Sequence, residues 1–228
     1  MRSSSLEKLG ALSLILGALL FAIYSALFPI ALPMQHLVDD YVEVVLNANW
    51  TRLALLAMVG ILLMLVGFYA VYARIRDKAG AVGAIGFLFI EAAYLLQACK
   101  VTWELFLFPI IARHTESAFL LRDGTINHDG AVEIFRNVSS LTILVGIILF
   151  CYSLYRSNEF PKVAPILVFL GALVYVVGPM FSILVSIGGI FTLALGCLLL
   201  GVHLLRERGT SSAHERLFAA KRVLDSLH

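Results

Sequence analysis

Charge is scarce in this chain. Asp, Glu, Lys and Arg make up 14% of its 228 residues, against about 25% in soluble domains. The little charge present nearly cancels, leaving a formal +2, and no basic stripe with interleaved aromatics occurs. That excludes a nucleic-acid binder. Cysteine is rare too. Cys99, Cys151 and Cys197 are an odd set inside apolar blocks, without metal-ligand spacing. They form no disulfide framework and read as small hydrophobes. No HExxH, GxSxG or clustered Asp/His pattern is present, so neither a metal site nor a hydrolase is indicated. His203 is the one histidine inside a candidate span, which leaves a haem without a second axial ligand. The sequence names no cofactor and no catalytic residue.

What the chain does have is apolar length. Hydrophobic residues reach 61%, and mean hydropathy is +0.94. They come in blocks of about 20, enough to cross a hydrocarbon core about 30 Å thick. The expected fold class is therefore all-α, a polytopic transmembrane helical bundle with six spans. These are Leu9–Leu32, Arg52–Ala73, Gly80–Ala112, Ser139–Tyr155, Val163–Met180 and Ser186–Leu205. The apolar run of the first is too long for a signal-peptide core and lacks a clear cleavage site, so it reads as a retained helix. Gly178, Pro179, Gly188 and Gly189 mark the break between the fifth and sixth.

Lysine and arginine set the orientation. Arg2, Lys8, Arg74, Arg76, Lys78, Arg156, Lys162 and the tail fall on one side. Arg52, Arg113, Arg122 and Arg136 fall on the other. The richer side predicts cytoplasmic termini, with a spanning domain over 1–208 and a cytoplasmic amphipathic tail over 209–228. In the tail, Leu217, Val223, Leu224 and Leu227 oppose Arg216, Lys221 and Arg222. That pattern suits anionic lipid or a docking partner. Two outer loops are long. "PMQHLVDDYVEVVLNAN" places Leu37, Tyr41, Val44 and Val45 on one helical face, as for a helix lying in the outer interface. "RHTESAFLLRDGTINHDGAVEIFRN" carries Asp-Gly turn signals at 123 and 129, consistent with a hairpin, a cap or an unstructured loop. Asn49 and Asn137 match the glycosylation pattern, which is common by chance.

The third span holds the polar residues. At about 100° per residue, Tyr94, Gln97, Lys100 and Glu104 fall on one narrow stripe, and Glu91 lies off it. Glu91 lands near mid-bilayer, where a carboxylate must be protonated, paired or wet. Tyr24 and Tyr175 are candidate hydroxyl partners at similar depth. Lys100 and Glu104, near the outer boundary, are an i,i+4 pair that can neutralise itself. They either fix helix rotation as an interfacial ion pair or floor an outward-facing pocket. The roof of that pocket would be the loop with Asp39, Asp40 and Glu43, with His114 nearby. Gly80, Gly83 and Gly86, and in the sixth span Gly196 and Gly201, read as close helix-packing positions.

Several phrases occur in order: "LFPI", an acidic loop with "NW", "GILLMLVGFYAVYAR", "AGAVGAIGF" and "WELFLFP". This order resembles a group of uncharacterised six-helix bacterial integral membrane proteins, most closely up to about Arg113. The resemblance implies a multi-pass protein of the bacterial cytoplasmic (inner) membrane. It singles out Glu104, in a Glu-x4-Pro ending at Pro109, and carries over no catalytic residue. Lys100 and Gln97 are not part of the group's pattern.

Two functions compete. In one, a pocket around Tyr94, Gln97, Lys100 and Glu104, with Glu91 deeper, binds, senses or moves a small amphiphile, lipid or ion. In the other, glycine faces and the tail make the chain a non-catalytic subunit of a homo-oligomer or a larger membrane complex. An intramembrane lipid enzyme would need a nucleophile or metal set that is not there.

Overall fold

The computed structural model describes residues 4–34, 40–122 and 130–225, with side chains from 6 to 206 within that range. Among the described residues there is no strand. The long helices are α1 (Ser4–Ala31), α3 (Trp50–Thr102), α6 (Gly130–Ser157), α7 (Val163–Val177) and α8 (Ile183–Asp225). Short elements join them: α2 (Tyr41–Leu46), a π-helical turn at Trp103–Leu107, α4 (Phe108–Arg113), α5 (Phe119–Arg122) and a 3₁₀ turn at Gly178–Met180. Among the described residues, five helical segments are long and apolar enough to cross a membrane, which makes a multi-pass membrane protein the natural reading of the fold.

The second of these segments, Trp50–Arg113, folds back on itself. Gly80 has φ 59° and ψ −164°, a conformation closed to residues with a Cβ. The limbs on either side of it then lie antiparallel. Tyr72 stacks on Phe87 with ring centroids 4.3 Å apart, Phe68 meets Tyr94 at 5.4 Å, and Trp50 reaches Glu104. Gly80 itself has open space where a side chain would stand. Its glycine serves the reversal and not, as its spacing with Gly83 and Gly86 suggests, helix packing.

The other glycines do pack, and they pack within this chain. Gly67 lies on Leu14 of α1, Gly86 on Leu149 and Phe150 of α6, and Gly146 on Phe89 and Ile90. Gly171 and Gly189 seat α7 against α8, Gly196 faces Val168, and Gly201 brings α8 onto Ile15 of α1. Small residues let helix backbones approach in lipid, where burial of apolar surface gives no advantage. The result is a ring, α1, both limbs of α3, α6, α7, α8 and back to α1, each member antiparallel to its neighbours. Phe68, Phe150, Leu14 and Met64 fill its core. Leu12, Leu16, Leu19, Ile23 and Leu27 leave the outer face of α1 apolar and exposed.

One end of the ring is capped. The loop helix expected to lie in the interface is shorter, at Tyr41–Leu46, and turns inward. Val44 and Val45 are buried together with Trp50, Phe108 and Leu121. Tyr41 packs edge-on against Trp50 and Phe108, so apolar burial wins over an interfacial position. The second loop contributes α5 to this cap, with Arg122 Nε 4.0 Å from Asp40 Oδ1. Leu37, Asp39 and the turn signals at 123–129 lie outside the described residues. At the sequon Asn49, the amide nitrogen donates to the Ala31 carbonyl at 3.3 Å. At the other end, α8 stays helical through Asp225, so the backbone of the tail continues the last helix.

That other end is clamped by Glu159, in the turn between α6 and α7. Its carboxylate accepts from Arg74 Nε at 2.9 Å and from Lys78, both beside the Gly80 reversal. His203 Nε2 of α8 donates to its carbonyl at 2.9 Å. The hydrogen bond from Lys78, helped by the charge of Arg74, holds the carboxyl below the ordinary glutamate range against the effect of burial.

Two predictions follow from these contacts. Gly80→Ala should lower stability by about 1–3 kcal/mol, the cost of forcing a side chain into this backbone region. Gly188→Ala should be near neutral, because Gly188 has the same open space without the positive φ. Thermal unfolding in one detergent compares them. A carboxyl with a depressed folded pKa stabilises the fold above its unfolded value of about 4.3, and the contribution is lost as pH falls through the folded value. The melting temperature should therefore drop on acidification below about pH 4.3. Glu159→Gln should start lower at neutral pH and fall less.

Candidate functional site

The polar stripe shares the face of the second limb of α3 that carries Gly83 and Gly86, and it lines the inside of the ring. Two adjoining cavities lie along it. The deeper one, about 490 Å³ including its opening, draws on every wall: Phe21, Ile61, Tyr94, Ile147, Tyr175 and Leu193. It is almost wholly apolar, and Gln97 stands at its rim. The second, about 720 Å³ including its open mouth, carries the polar groups Tyr24, Gln97, Lys100, Glu104, Tyr175 and Ser186. Phe21, Ile61, Gln97 and Tyr175 line both, so the two are continuous in their walls.

Lys100 Nζ stands 3.5 Å from Glu104 Oε1, across one helical turn. The side chains differ in access: Lys100 is 50% exposed and Glu104 15%. Arg136, on the facing part of α6, is close enough to repel Lys100. Beyond Lys100 the helix widens into the π turn. Phe108 N–H donates five residues back, to the Trp103 carbonyl. In that register the next donor, to the Glu104 carbonyl, would be residue 109, which is proline and has no N–H. The Trp50 indole supplies the missing bond, Nε1 donating to Glu104 O at 2.7 Å. Such π turns occur often at functional sites.

The stripe residues Tyr94, Gln97, Lys100 and Glu104 are thus brought together, with Tyr24 and Tyr175 opposite. The tyrosines stand at the Lys100–Glu104 chamber, however, and not on Glu91 as their depth suggested. Glu91 lines neither cavity, and its buried Oε1 has no hydrogen-bond partner among the described residues. His114 is not at the chamber either. It is exposed at the end of α4, where its carbonyl accepts from Ala118 N at 2.9 Å. Of the expected acidic roof, Asp39 lies outside the described residues, Asp40 stands by Arg122 and Glu43 is exposed, while Val44 and Val45 face inward. Burial, then the charge of Glu104, pushes the Tyr41 phenol up, so it is a neutral hydrogen-bonding group at neutral pH. Among the described residues no group of His, Cys, Asp and Glu could hold a metal ion.

No protein-family model matches the chain, and no curated protein or solved structure gives a significant match.

Sequence reasoning missed Trp50 and the π turn. The available signal was Pro109 five residues after Glu104, with a tryptophan placed to reach it once α3 folds at Gly80. Trp50→Phe keeps the packing and removes the indole donor. A buried carbonyl left unpaired costs about 1–3 kcal/mol, so the melting temperature should fall. Trp50→Phe combined with Pro109→Ala, which restores an N–H at 109, should recover part of the loss.

Proposed function

We propose that the chain is a six-span membrane protein with both termini on the cytoplasmic side, and that its ring encloses a pocket that binds, senses or moves a small amphiphile. A straight helix over the 64 residues of Trp50–Arg113 would run about 96 Å, three times a hydrocarbon core. Two limbs meeting at Gly80 each cross once, which turns five apolar segments into six crossings. Arg74, Arg76, Lys78, Arg156, Lys162 and Arg206 all lie toward the Gly80 end, the pattern of a cytoplasmic face. The resemblance to bacterial six-helix proteins agrees with an inner-membrane location.

One observation carries the pocket reading: a charged chamber shares its walls with an apolar cavity. Connected cavities with an apolar part and a few convergent polar groups suit small-molecule ligands. A polar head beside Lys100 and Glu104 and an apolar part beside Phe21, Ile61 and Leu193 would satisfy both halves. The alternative, an assembly subunit, loses one of its supports, because Gly83, Gly86, Gly196 and Gly201 are occupied by this chain's own helices.

Native mass spectrometry of the gently released protein tests the reading. A small mass should be retained on the wild type and lost on Glu104→Gln or Lys100→Met, with folding intact. A bare monomer in both would sink it, and a stable oligomer without a small mass would favour the subunit.

A further inference from the structure

The walls of the ring differ in height. α7 and its 3₁₀ turn, Val163–Met180, have 18 residues, a rise of about 27 Å. Facing pairs give the level of their tip. Gly83 lies on Ser153, Trp103 meets Phe135, and Tyr175 and Ile183 share a chamber with Lys100. The α7–α8 tip therefore stands near Lys100. The second limb of α3 runs on through the π turn to Arg113, and α6 extends up to Gly130. Among the described residues the ring thus has no wall above the tip, between α6 and α1. Lys100 is half exposed at this gap.

The rest of the outer end is shut by apolar packing, with Val44 and Leu121 at 0% exposure and Trp50 at 3%. The sill of the gap is apolar and bare: Met180 is 84% exposed, Phe181 76% and Leu184 68%. These side chains belong in acyl chains, so what crosses them must tolerate hydrocarbon at one end. At the other end it meets charge. The exposed member of the ion pair is the cation, Glu104 is withdrawn behind it, and Arg136 adds a second positive charge nearby.

The geometry points to a single-chain amphiphile with an acidic head, a carboxylate or phosphate, that enters sideways from the outer leaflet over the α7–α8 tip. Its head rests on Lys100 and its chain lies in the apolar cavity among Phe21, Ile61, Ile147 and Leu193. This assignment rests on the pocket reading above and names its ligand class and route.

The test is a native mass spectrometry titration of the purified full chain with four probes. Oleate and oleoyl lysophosphatidate have acidic heads of the two sources. Oleoyl lysophosphatidylcholine has the same chain with a zwitterionic head, and glycerol 3-phosphate has a phosphate without a chain. One or both acidic single-chain lipids should bind at least about tenfold more tightly than the other two probes, as loss of one charge-assisted contact predicts. Lys100→Met should remove that preference and Lys100→Arg should keep it. Phe181→Asp should slow association several-fold. Equal binding of the zwitterionic lipid, or an unchanged Lys100→Met, overturns the acidic head. An unchanged association rate in Phe181→Asp overturns the sideways route. Equal binding of glycerol 3-phosphate, lost in Lys100→Met, overturns the lipid assignment but keeps the pocket. No bound probe and no retained native mass overturns both.

Discussion

The reversal at Gly80 is the constraint on which the rest of this structure depends. Without it the two limbs of α3 could not face one another, and Trp50 would be 54 positions away from Glu104 with no means of reaching it. The turn costs little only because residue 80 has no Cβ. Glu159 then fastens the same turn to α6, α7 and α8 through Arg74, Lys78 and His203. One glycine in a conformation closed to other residues and one half-buried carboxylate hold the Gly80 end of the ring together, and the capped end inherits its register from them.

At that capped end, two backbone faults compensate each other. Pro109 cannot donate, and the π turn shifts the unpaired carbonyl onto Glu104, where an indole from the other limb arrives. A carbonyl buried without a donor is costly, so the contact with Trp50 fixes both the height and the rotation of the segment that carries Glu104. The Lys100–Glu104 pair needs such fixing. At 3.5 Å it is an ion pair without tight hydrogen bonding, and exposed pairs alone contribute little. Its members keep their relative depth, one withdrawn and one accessible, because the backbone beneath them is held from outside the helix.

Much of this was legible in the sequence. The apolar blocks located the helices, and the 100° spacing placed Tyr94, Gln97, Lys100 and Glu104 on one face, where they are found lining connected space. Gly83, Gly86, Gly196 and Gly201 were readable as packing positions. Distances between segments were not legible. Tyr24 and Tyr175 were matched to Glu91 by depth alone, and depth does not say which way a helix is rotated. Gly80 looked like one more packing glycine, since spacing does not report φ. Val44 and Val45 made a plausible interfacial stripe, and only the presence of Trp50, Phe108 and Leu121 beside them made burial the better outcome. Arg74 and Lys78 counted as topogenic charges, and their shared partner Glu159 stands 85 and 81 residues further on.

The unequal helix heights also bear on the lipid around the protein. Beside α7 the apolar wall is about 27 Å high, slightly less than an average bilayer core, whereas the second limb of α3 offers a taller one. A membrane that wets both must thin on one flank and not on the other, at a fraction of a kcal/mol for each Å of mismatch. In a bilayer of average thickness, such a wall would place the protein at the rim of a shallow dimple. That shorter flank is the one where Met180 and Phe181 are bare, at the level of Lys100.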